Sequence, residues 1–385
     1  MAITPDARAW VEVDLDAVRA NYDTVRRAAG RGASVMPMVK ADGYGVGAAR
    51  VVRALESREP LGYGVATAAE GAALRSSGIE RPILIVTPLP AGDEDVAARA
   101  GLTASISSVD GLDRWVAAAD RAGGAPLEFH VEVDTGMGRC GFDWRESGAW
   151  TEALRSRQGA AIRWTGIFTH FHGADGPDAR ATVLQWERFR DTLVQLPVSR
   201  EDLLVHAANS AAALRFPEFA ADAVRPGIFL YGGHPAPEAE GVPAPAPVVA
   251  LRARIGLIRD VPPGSTVGYG ATHVAREWER WGTLLIGYGD GLPRSLGNNG
   301  EAVVAGRRVP IVGRVSMDLT VVDLTDVAEA EVGDVATLIG ADGSERIALE
   351  EVAARAGTIG YEILTGLGQR LPRIETTTES EREGR

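Results

Sequence analysis

Lys40 ends a short apolar run and precedes a glycine-rich turn, which makes it the first candidate for chemistry in this sequence. A lysine at the end of a buried strand loses part of its solvation, so its neutral amine becomes available as a nucleophile for a Schiff base. Judged alone, such a lysine is better explained as a side chain that reaches solvent. The turn Gly43-Tyr44-Gly45 favours a functional role, because the two glycines hold Tyr44 where its hydroxyl can reach a ligand.

Four other segments place polar residues directly after apolar runs: 134–139 (DTGMGR), 170–172 (HFH), 206–210 (HAANS) and 225–228 (RPGI). Asn209-Ser210 and Gly227-Ile228 suit a phosphate group, which backbone N–H groups and a hydroxyl at a helix start can bind. Capping of the following helix is the alternative for Asn209 and Ser210.

Arg225 precedes Pro226-Gly227, a break that directs the guanidinium towards an acceptor in the same region; a structural salt bridge is the competing interpretation. His170 and His206 have no carboxylate-rich pattern around them, so we expect orienting hydrogen bonds and no metal site. The glycines of 134–139 lack the spacing of a nucleotide-binding loop.

Eight apolar runs carry or precede these residues and predict strands at 35–39, 62–65, 83–86, 103–106, 127–133, 164–169, 203–206 and 222–225. Amphipathic segments between them, such as 48–57, 66–77, 109–122 and 182–195, predict helices. Strict alternation requires parallel strands joined by crossovers, so eight units predict an α/β fold with a closed (β/α)8 barrel of the TIM type. The candidate residues then surround one mouth. A doubly wound open sheet is the alternative.

The composition changes at 234–247, where interleaved prolines predict a stiff linker. We therefore expect a barrel domain over residues 1–240 and a mostly-β domain over residues 241–385. Glycine-rich patches of the second domain at 268–273, 287–291 and 313–318 are explained, from the residues alone, as turns and corners. The polar end, 374–385, predicts a loose tail.

The bulk composition excludes several classes of protein. The chain has 385 residues, a formal net charge of −12, 45% hydrophobic residues and one cysteine, Cys140. The acidic balance disfavours nucleic acid as a partner, and a single cysteine excludes an internal disulfide. No stretch approaches the length of a membrane span and no signal segment opens the chain, so we expect a cytoplasmic protein without a membrane partner.

Taken together, the motifs resemble those of the alanine racemase family, from the first helix to residues 361–373. The segments that carry the resemblance are VKADGYGVG (39–47), VDTGMGRCGF (133–142), GIFTHF (166–171), HAANSAA (206–212), VRPGIFLYG (224–232), VGYGAT (267–272), GYGDGLPR (287–294) and GRVSMD (313–318). The resemblance implies a barrel that binds pyridoxal 5'-phosphate (PLP), a following β domain, and a head-to-tail homodimer with shared active sites.

The resemblance also implies a role for each candidate. Lys40 would carry the cofactor, and Tyr269 from the partner subunit would be the second catalytic base. The other cofactor-binding residues would be Tyr44, His170, His206, Asn209, Ser210, Arg225, Gly227, Ile228 and Tyr361. Arg139 and the Met317 backbone would bind the substrate carboxylate, and the entry channel would be lined by Tyr288, Arg294 and Asp318.

The implied reaction is racemisation of L-alanine to D-alanine, which supplies D-alanine for peptidoglycan. It needs one base on each face of the α-carbon, and Lys40 and Tyr269 would stand on opposite faces. Arg225 has no proton to give up, so the pyridine nitrogen should stay unprotonated and side reactions such as transamination should be suppressed. A racemase of broader specificity, acting for example on serine, is the alternative.

One departure from the family pattern lies at Glu132, where many members carry a carboxylated lysine that positions the arginine. A glutamate supplies a negative charge without carbon dioxide and is expected to orient Arg139 through a bidentate contact. Two further alternatives are a PLP-dependent decarboxylase and a non-catalytic binding protein. Tyr269 and the segment GRVSMD argue against the decarboxylase, and the presence of both Lys40 and Tyr269 argues against the binding protein.

Overall fold

A computed structural model describes residues 6–157 and 159–376. Ten strands lie in its first half: β1 (Ala9–Asp14), β2 (Ser34–Val35), β3 (Tyr63–Val65), β4 (Ile83–Ile85), β5 (Ala104–Ile106), β6 (Leu127–Asp134), β7 (Phe142–Asp143), β8 (Ile162–Phe168), β9 (Leu204–His206) and β10 (Ala223–Val224). Each of the eight predicted strand regions overlaps one of them. Six of these eight strands have two or three residues, and β6 and β8 are longer.

These eight strands form a closed parallel ring. Parallel pairing runs β5-β6-β8-β9-β10-β2 in one sheet and β3-β4 in another. Parallel bridges from Met38 to Gly64 and from Leu84 to Thr103 join the two sheets at both seams. The predicted (β/α)8 barrel is therefore confirmed, and the open doubly wound sheet was wrong.

Nine helical elements connect the strands: α1 (Leu15–Ala29), α2 (Lys40–Tyr44), α3 (Ala48–Leu55), α4 (Ala68–Ser76), α5 (Asp93–Arg99), α6 (Val109–Ala122), α7 (Ser147–Arg155), α8 (Arg180–Val194) and α9 (Ser210–Arg215). Several begin at a side-chain cap written in the sequence. Asp14 accepts from the Ala17 N–H, Ser108 from the Gly111 N–H, and Thr67 forms a capping box with Glu70.

The second half is mostly β, as predicted: β11 (Val249–Val261), β12 (Thr266–Val267), β13 (His273–Val274), β14 (Glu279–Leu284), β15 (Glu301–Val304), β16 (Arg307–Pro310), β17 (Thr320–Asp323), β18 (Val335–Asp342), β19 (Glu345–Ile347) and β20 (Arg373–Thr376). Two helices, α10 (Leu349–Ala356) and α11 (Gly360–Gly366), precede the last strand. The strands of this half pair antiparallel with one another, mainly around the long β11.

Short 3₁₀ helices fill several connections, at Glu56–Arg58, Trp144–Glu146, Arg200–Asp202, Pro217–Phe219, Ile228–Tyr231, Tyr288–Asp290 and Arg294–Leu296. The segment 234–247 contains neither helix nor strand, in agreement with a proline-rich linker. Among the described residues no helix is long and apolar enough to cross a membrane.

Strand β1 was not predicted and belongs to the sheet of the second half. It pairs antiparallel with β11 and parallel with β20. The chain therefore starts in one half and enters the barrel through α1, so the division at residues 240/241 remains a proposal with β1 as an exchanged element. The predicted loose tail was wrong for residues 374–376, which lie in β20; its remainder, 377–385, lies outside the described residues.

Candidate active site

Lys40 opens a left-handed turn at the mouth of the barrel. The backbone of α2 is left-handed at Ala41 (φ 53°), Asp42 (φ 52°) and Gly43 (φ 61°), a conformation that costs energy for non-glycine residues. Side chains hold the turn in place: the Ala41 N–H donates to Glu70 Oε1 at 2.8 Å, and the Ala48 N–H donates to Asp42 Oδ1 at 2.9 Å. The predicted tight turn is therefore present, with its strain balanced by hydrogen bonds.

A cavity of about 350 Å³ opens beside this turn. Its walls include ten of the residues singled out in the sequence: Lys40, Tyr44, Arg139, His170, Asn209, Ser210, Arg225, Gly227, Ile228 and Tyr361. Nine of them follow barrel strands, and Tyr361 comes from α11 of the second half. The carboxyl ends of parallel strands meet at one rim of a barrel, which explains why residues so distant in sequence share one cavity.

The Lys40 amine is half-buried in this cavity. Burial lowers the pKa of Lys40, and the positive charges of Arg139 and Arg225 lower it further, while Glu70 acts in the opposite direction. More of the amine is therefore neutral, the form that attacks carbonyl groups. One signal in the sequence was overlooked: Lys40 is the only lysine among the 40 lysine and arginine residues of the chain.

Hydroxyl groups gather at one end of the cavity. Tyr44 stacks on Tyr231 with ring centroids 4.6 Å apart, and a Cβ at Gly227 would lie only 2.1 Å from the Tyr44 hydroxyl oxygen. The Gly227 N–H donates to Ser210 Oγ at 2.8 Å, which leaves the Ser210 hydroxyl hydrogen free to donate. Burial raises the pKa of Tyr44 and that of Tyr361, the latter to about 12, so both phenols stay protonated as donors.

Asn209 caps α9, and Ser210 does not. Asn209 Oδ1 accepts from the Ala212 N–H at 3.0 Å, so the capping interpretation holds for this residue. Ser210 is the first helical residue and turns its hydroxyl to Gly227 instead. Asn209 thus stabilises the start of α9, and the Ser210 hydroxyl lines the cavity.

Arg225 lies fully buried against the barrel core. Its guanidinium donates to Nδ1 of His206 at 2.6 Å and to the Thr169 carbonyl at 2.9 Å, and it lies over the Phe168 ring. Burial lowers the pKa of Arg225 to about 10. In the described part of the chain no ion pair joins it to a carboxylate, so the competing interpretation, a structural salt bridge, is not supported. The side chain is held by neutral acceptors.

His130, which the sequence analysis overlooked, completes this network. Its Nδ1 lies 2.9 Å from Nε2 of His206, although β8 separates their strands. The His130 ring crosses β8 at Gly166, where a Cβ would lie 2.6 Å from the ring. Burial and the charge of Arg225 lower the pKa of His130 to about 3 and that of His206 well below normal. Both imidazoles are neutral.

The tautomers of His206 and His130 follow from Arg225, the donor at one end of this hydrogen-bond network. Arg225 can only donate, so Nδ1 of His206 accepts and its Nε2 carries the hydrogen that it donates to His130. The nearest sequence signal was the pair His130 and Glu132, two polar residues on the same face of strand β6, in which polar and apolar residues alternate. His170, also in the cavity, is neutral as well, because burial lowers its pKa to about 3.

Glu132 does not make the predicted contact with Arg139 among the described residues. Its Oε2 accepts from the Ser107 hydroxyl at 2.9 Å, and no hydrogen bond or ion pair joins it to Arg139 in this part of the chain. Burial raises the pKa of Glu132, while Ser107 and the charges of Arg225 and Arg139 act in the opposite direction. Glu132 is therefore a buried carboxyl group within the electrostatic influence of two arginines, Arg225 and Arg139.

Replacing Glu132 with glutamine should weaken substrate binding. Without the negative charge the field on Arg139 and Arg225 changes, and we expect KM for alanine to rise roughly tenfold, equivalent to about 1.4 kcal/mol, with a smaller change in kcat. Steady-state kinetics will test this. Ser107→Ala is the matched control, since it removes the hydroxyl donor and keeps the charge. A glutamine variant with wild-type KM would contradict the idea.

Six predicted site residues do not line the cavity of a single chain. One is His206, which contacts Arg225 inside the barrel. The other five all belong to the second half: Tyr269, Tyr288, Arg294, Met317 and Asp318. The Tyr269 side chain is 70% exposed, and Tyr288 and Met317 are exposed as well. The chain does bring their motifs together: the Tyr288 N–H donates to the Ser316 carbonyl at 3.0 Å, and the Gly289 N–H donates to the Met317 carbonyl at 2.8 Å. The segments 268–272, 287–291 and 313–318 therefore adjoin one another, and we call them the second cluster.

Exposed apolar side chains surround this second cluster. Trp278 is 66% exposed, and Val274 and Leu319 are also open to solvent.

Among the described residues, no group of three or more histidine, cysteine, aspartate or glutamate side chains is arranged to hold a metal ion.

Comparison with known proteins extends over almost the whole chain. The family model "Alanine racemase, N-terminal domain" matches residues 13–235, and "Alanine racemase, C-terminal domain" matches residues 248–375. The alanine racemase of Geobacter sulfurreducens is 40% identical over 370 residues, covering 94% of this chain and 96% of that protein. Alanine racemase 2 of Bacillus subtilis is 38% identical over 375 residues, covering 95% and 94%.

Solved structures agree with the sequence relatives. The alanine racemase of Streptomyces coelicolor A3(2) superimposes with a TM-score of 0.88 at 36% identity, covering 96% of this chain and 98% of that one. The enzyme from E. faecalis gives a TM-score of 0.90 at 32% identity, covering 98% and 100%. With both domains matched in order and the barrel mouth built as described above, the chain belongs to the alanine racemase family.

Proposed function

We propose that this protein interconverts L-alanine and D-alanine with pyridoxal 5'-phosphate, using Lys40 and Tyr269 as opposed bases. The observation that carries the proposal is the arrangement of the cavity: a half-buried amine with a lowered pKa, a buried arginine held by neutral acceptors, and hydroxyl donors at one end. The similarity to enzymes named alanine racemase supports this choice of substrate.

The residues present fit PLP. The cavity of about 350 Å³ is in the range of small-molecule sites. Three hydroxyl groups can donate hydrogen bonds to the phosphate, those of Tyr44, Ser210 and Tyr361. Glycine is needed at position 227, because a side chain there would clash with the Tyr44 hydroxyl. Lys40 supplies the only lysine amine of the chain for covalent attachment. When bound, the cofactor supplies an electron sink that lowers the cost of removing an α-proton.

Arg225 is proposed to face the pyridine nitrogen. His206 and the Thr169 carbonyl fix the guanidinium, and His130 fixes the tautomer of His206. A guanidinium donates a hydrogen bond without releasing its proton, so the ring nitrogen remains unprotonated. This arrangement favours return of the proton to the α-carbon over side reactions such as transamination.

Lys40 is proposed to serve one face of the α-carbon and Tyr269 the other. In a single chain Tyr269 lies on an exposed face and outside the walls of the Lys40 cavity. We therefore propose that Tyr269 comes from a second copy of the chain, in a homodimer in which the exposed apolar residues Trp278, Val274 and Leu319 are covered. Met317, Tyr288, Arg294 and Asp318 reach the site of the partner in the same way.

Arg139, which lines the cavity, is proposed to bind the substrate carboxylate together with the Met317 backbone. We place the reaction in the cytoplasm, supplying D-alanine for peptidoglycan; the free thiol of Cys140 fits a reducing compartment.

The deciding experiment incubates the PLP-loaded protein with L-alanine in heavy water and separates the products by chiral chromatography. We expect D-alanine to form with a deuteron at the α-carbon and the mixture to approach equal amounts. L-Serine and other small amino acids run in parallel: comparable rates on serine would establish a broader racemase. Retention of the α-hydrogen in every amino acid would overturn racemisation.

A further inference from the structure

The loop that carries Tyr269 has little support of its own. It spans residues 268–272 between the two-residue strands β12 and β13, and Ala271 within it has a left-handed backbone (φ 44°). A hairpin this short is marginal without outside contacts. Something beyond the hairpin must therefore fix the position of Tyr269.

Beneath the loop, one end of the hairpin is tied to β14. His273 lies 2.7 Å from Glu279 Oε2, an atom that also accepts from the Trp281 indole N–H at 2.6 Å. Trp281 belongs to a small apolar cluster that includes Val267 of β12. These contacts hold the base of the hairpin and do not reach the tip.

The last residue of the loop, Thr272, is contacted by the side chain of Asn298. Its side-chain Nδ2 donates to Thr272 Oγ1 at 3.0 Å, while its Oδ1 accepts from the Gly313 N–H at 2.6 Å. Asn298 itself has a left-handed backbone (φ 56°), which asparagine tolerates better than most residues. One amide therefore joins the end of the Tyr269 loop to the start of the segment 313–318, which contains Met317.

We infer that Asn298 is a positioning residue for racemisation: acting through Thr272 and Gly313, its amide sets the Tyr269 loop in register with the Met317 segment. The inference rests on the proposed function of Tyr269. Only a side chain that both donates and accepts can make the two bonds together. Loss of the link lets the Tyr269 hydroxyl shift, and small displacements of a base cost large factors in rate.

Three substitutions separate the parts of the link. Asn298→Gly removes the whole side chain and keeps the left-handed backbone without strain. Asn298→Asp keeps an acceptor for Gly313 and loses the amide N–H, so any remaining link to Thr272 requires the threonine hydroxyl to donate. Thr272→Val removes that hydroxyl and leaves only the Thr272 carbonyl, to which Asn298 Nδ2 donates at 3.4 Å. Asn299→Ala is the matched control, because Asn299 lies in the same turn and its side chain donates to the Arg355 carbonyl of α10 instead.

The readout is racemisation in heavy water together with deuterium in the recovered substrate. When the Tyr269 hydroxyl is displaced, Lys40 still exchanges the α-hydrogen on its own face, so substrate regains a deuteron without inversion. We expect kcat to fall about 10- to 100-fold in Asn298→Gly, and the ratio of exchange to racemisation to rise for one of the two enantiomers. Thr272→Val should show the same asymmetry, and Asn299→Ala should match the wild type.

Wild-type ratios in Asn298→Gly and Thr272→Val would overturn the inference while leaving the proposed function intact. Equal loss of exchange and racemisation for both enantiomers would also overturn it, since general damage to the fold acts on both faces. Absence of alanine racemisation by the wild-type protein would overturn the proposed function and this inference with it. If Asn298→Gly fails to fold, Thr272→Val decides alone.

Discussion

Replacing Lys40 with alanine should lower alanine racemisation by at least about a thousandfold, because it removes both the attachment point of the cofactor and one base. No other lysine exists in the chain to take over either task. Borohydride reduction of the PLP-loaded wild type followed by peptide mass spectrometry should find the label at Lys40, and Lys40→Ala should yield no labelled lysine peptide.

Stability separates this prediction from simple unfolding. Burial lowers the pKa of Lys40, so the unfolded state binds its proton more tightly than the folded state does. The contribution of Lys40 to the free energy of unfolding therefore rises with pH. At neutral pH the lysine makes no favourable electrostatic contribution to stability that alanine would remove. Thermal unfolding of the apo variant should match the apo wild type. Racemisation above a tenth of the wild-type rate would contradict the assignment of Lys40.

Replacing Tyr269 with phenylalanine should lower racemisation by about a hundred- to a thousandfold, the usual contribution of a general base. Phenylalanine keeps the exposed ring and removes only the hydroxyl, so assembly and cofactor content should be unchanged. Chiral analysis of the product and absorbance of the bound cofactor measure the two effects separately. The Tyr22→Phe variant serves as the control and should keep most of the activity, because Tyr22 lies in α1 and does not line the Lys40 cavity.

Mixing the two inactive variants tests where Tyr269 acts. Lys40→Ala and Tyr269→Phe chains that exchange freely in equal amounts should form heterodimers in which one site combines Lys40 of one chain with Tyr269 of the other. Random pairing then restores about a quarter of wild-type activity. Failure to recover activity, with heterodimers detected by native mass spectrometry, would place both residues in the same chain.

Local pattern alone predicted much of the molecule. Short apolar runs alternating with amphipathic segments specify the strands and helices of the barrel, because burial on one face imposes the periods of 2 and 3.6 residues. The candidate site could be assembled as well, since strand ends converge at one rim. Lys40, Ser210 and Arg225 come shortly after the ends of their strands, and all line the cavity.

Contacts between elements distant in the sequence could not be predicted from local patterns. Strand β1 belongs to the sheet of the second half because it pairs with β11 and β20. The residues of a strand do not specify which distant strands it pairs with. His130 meets His206 only because β8 brings Gly166 beneath the ring. Glu132 bonds to Ser107 of an adjacent strand end, where the sequence had suggested Arg139.

The sequence by itself determined the barrel, the mostly-β second half and the set of residues at one mouth, because local burial patterns and short motifs encode these features. Only the tertiary structure decided which of those residues meet within one chain. It separated Tyr269 from the Lys40 cavity and left it exposed. The physical reason is that hydrogen-bond partners and solvent exposure depend on strand register and domain packing, which couple residues hundreds of positions apart.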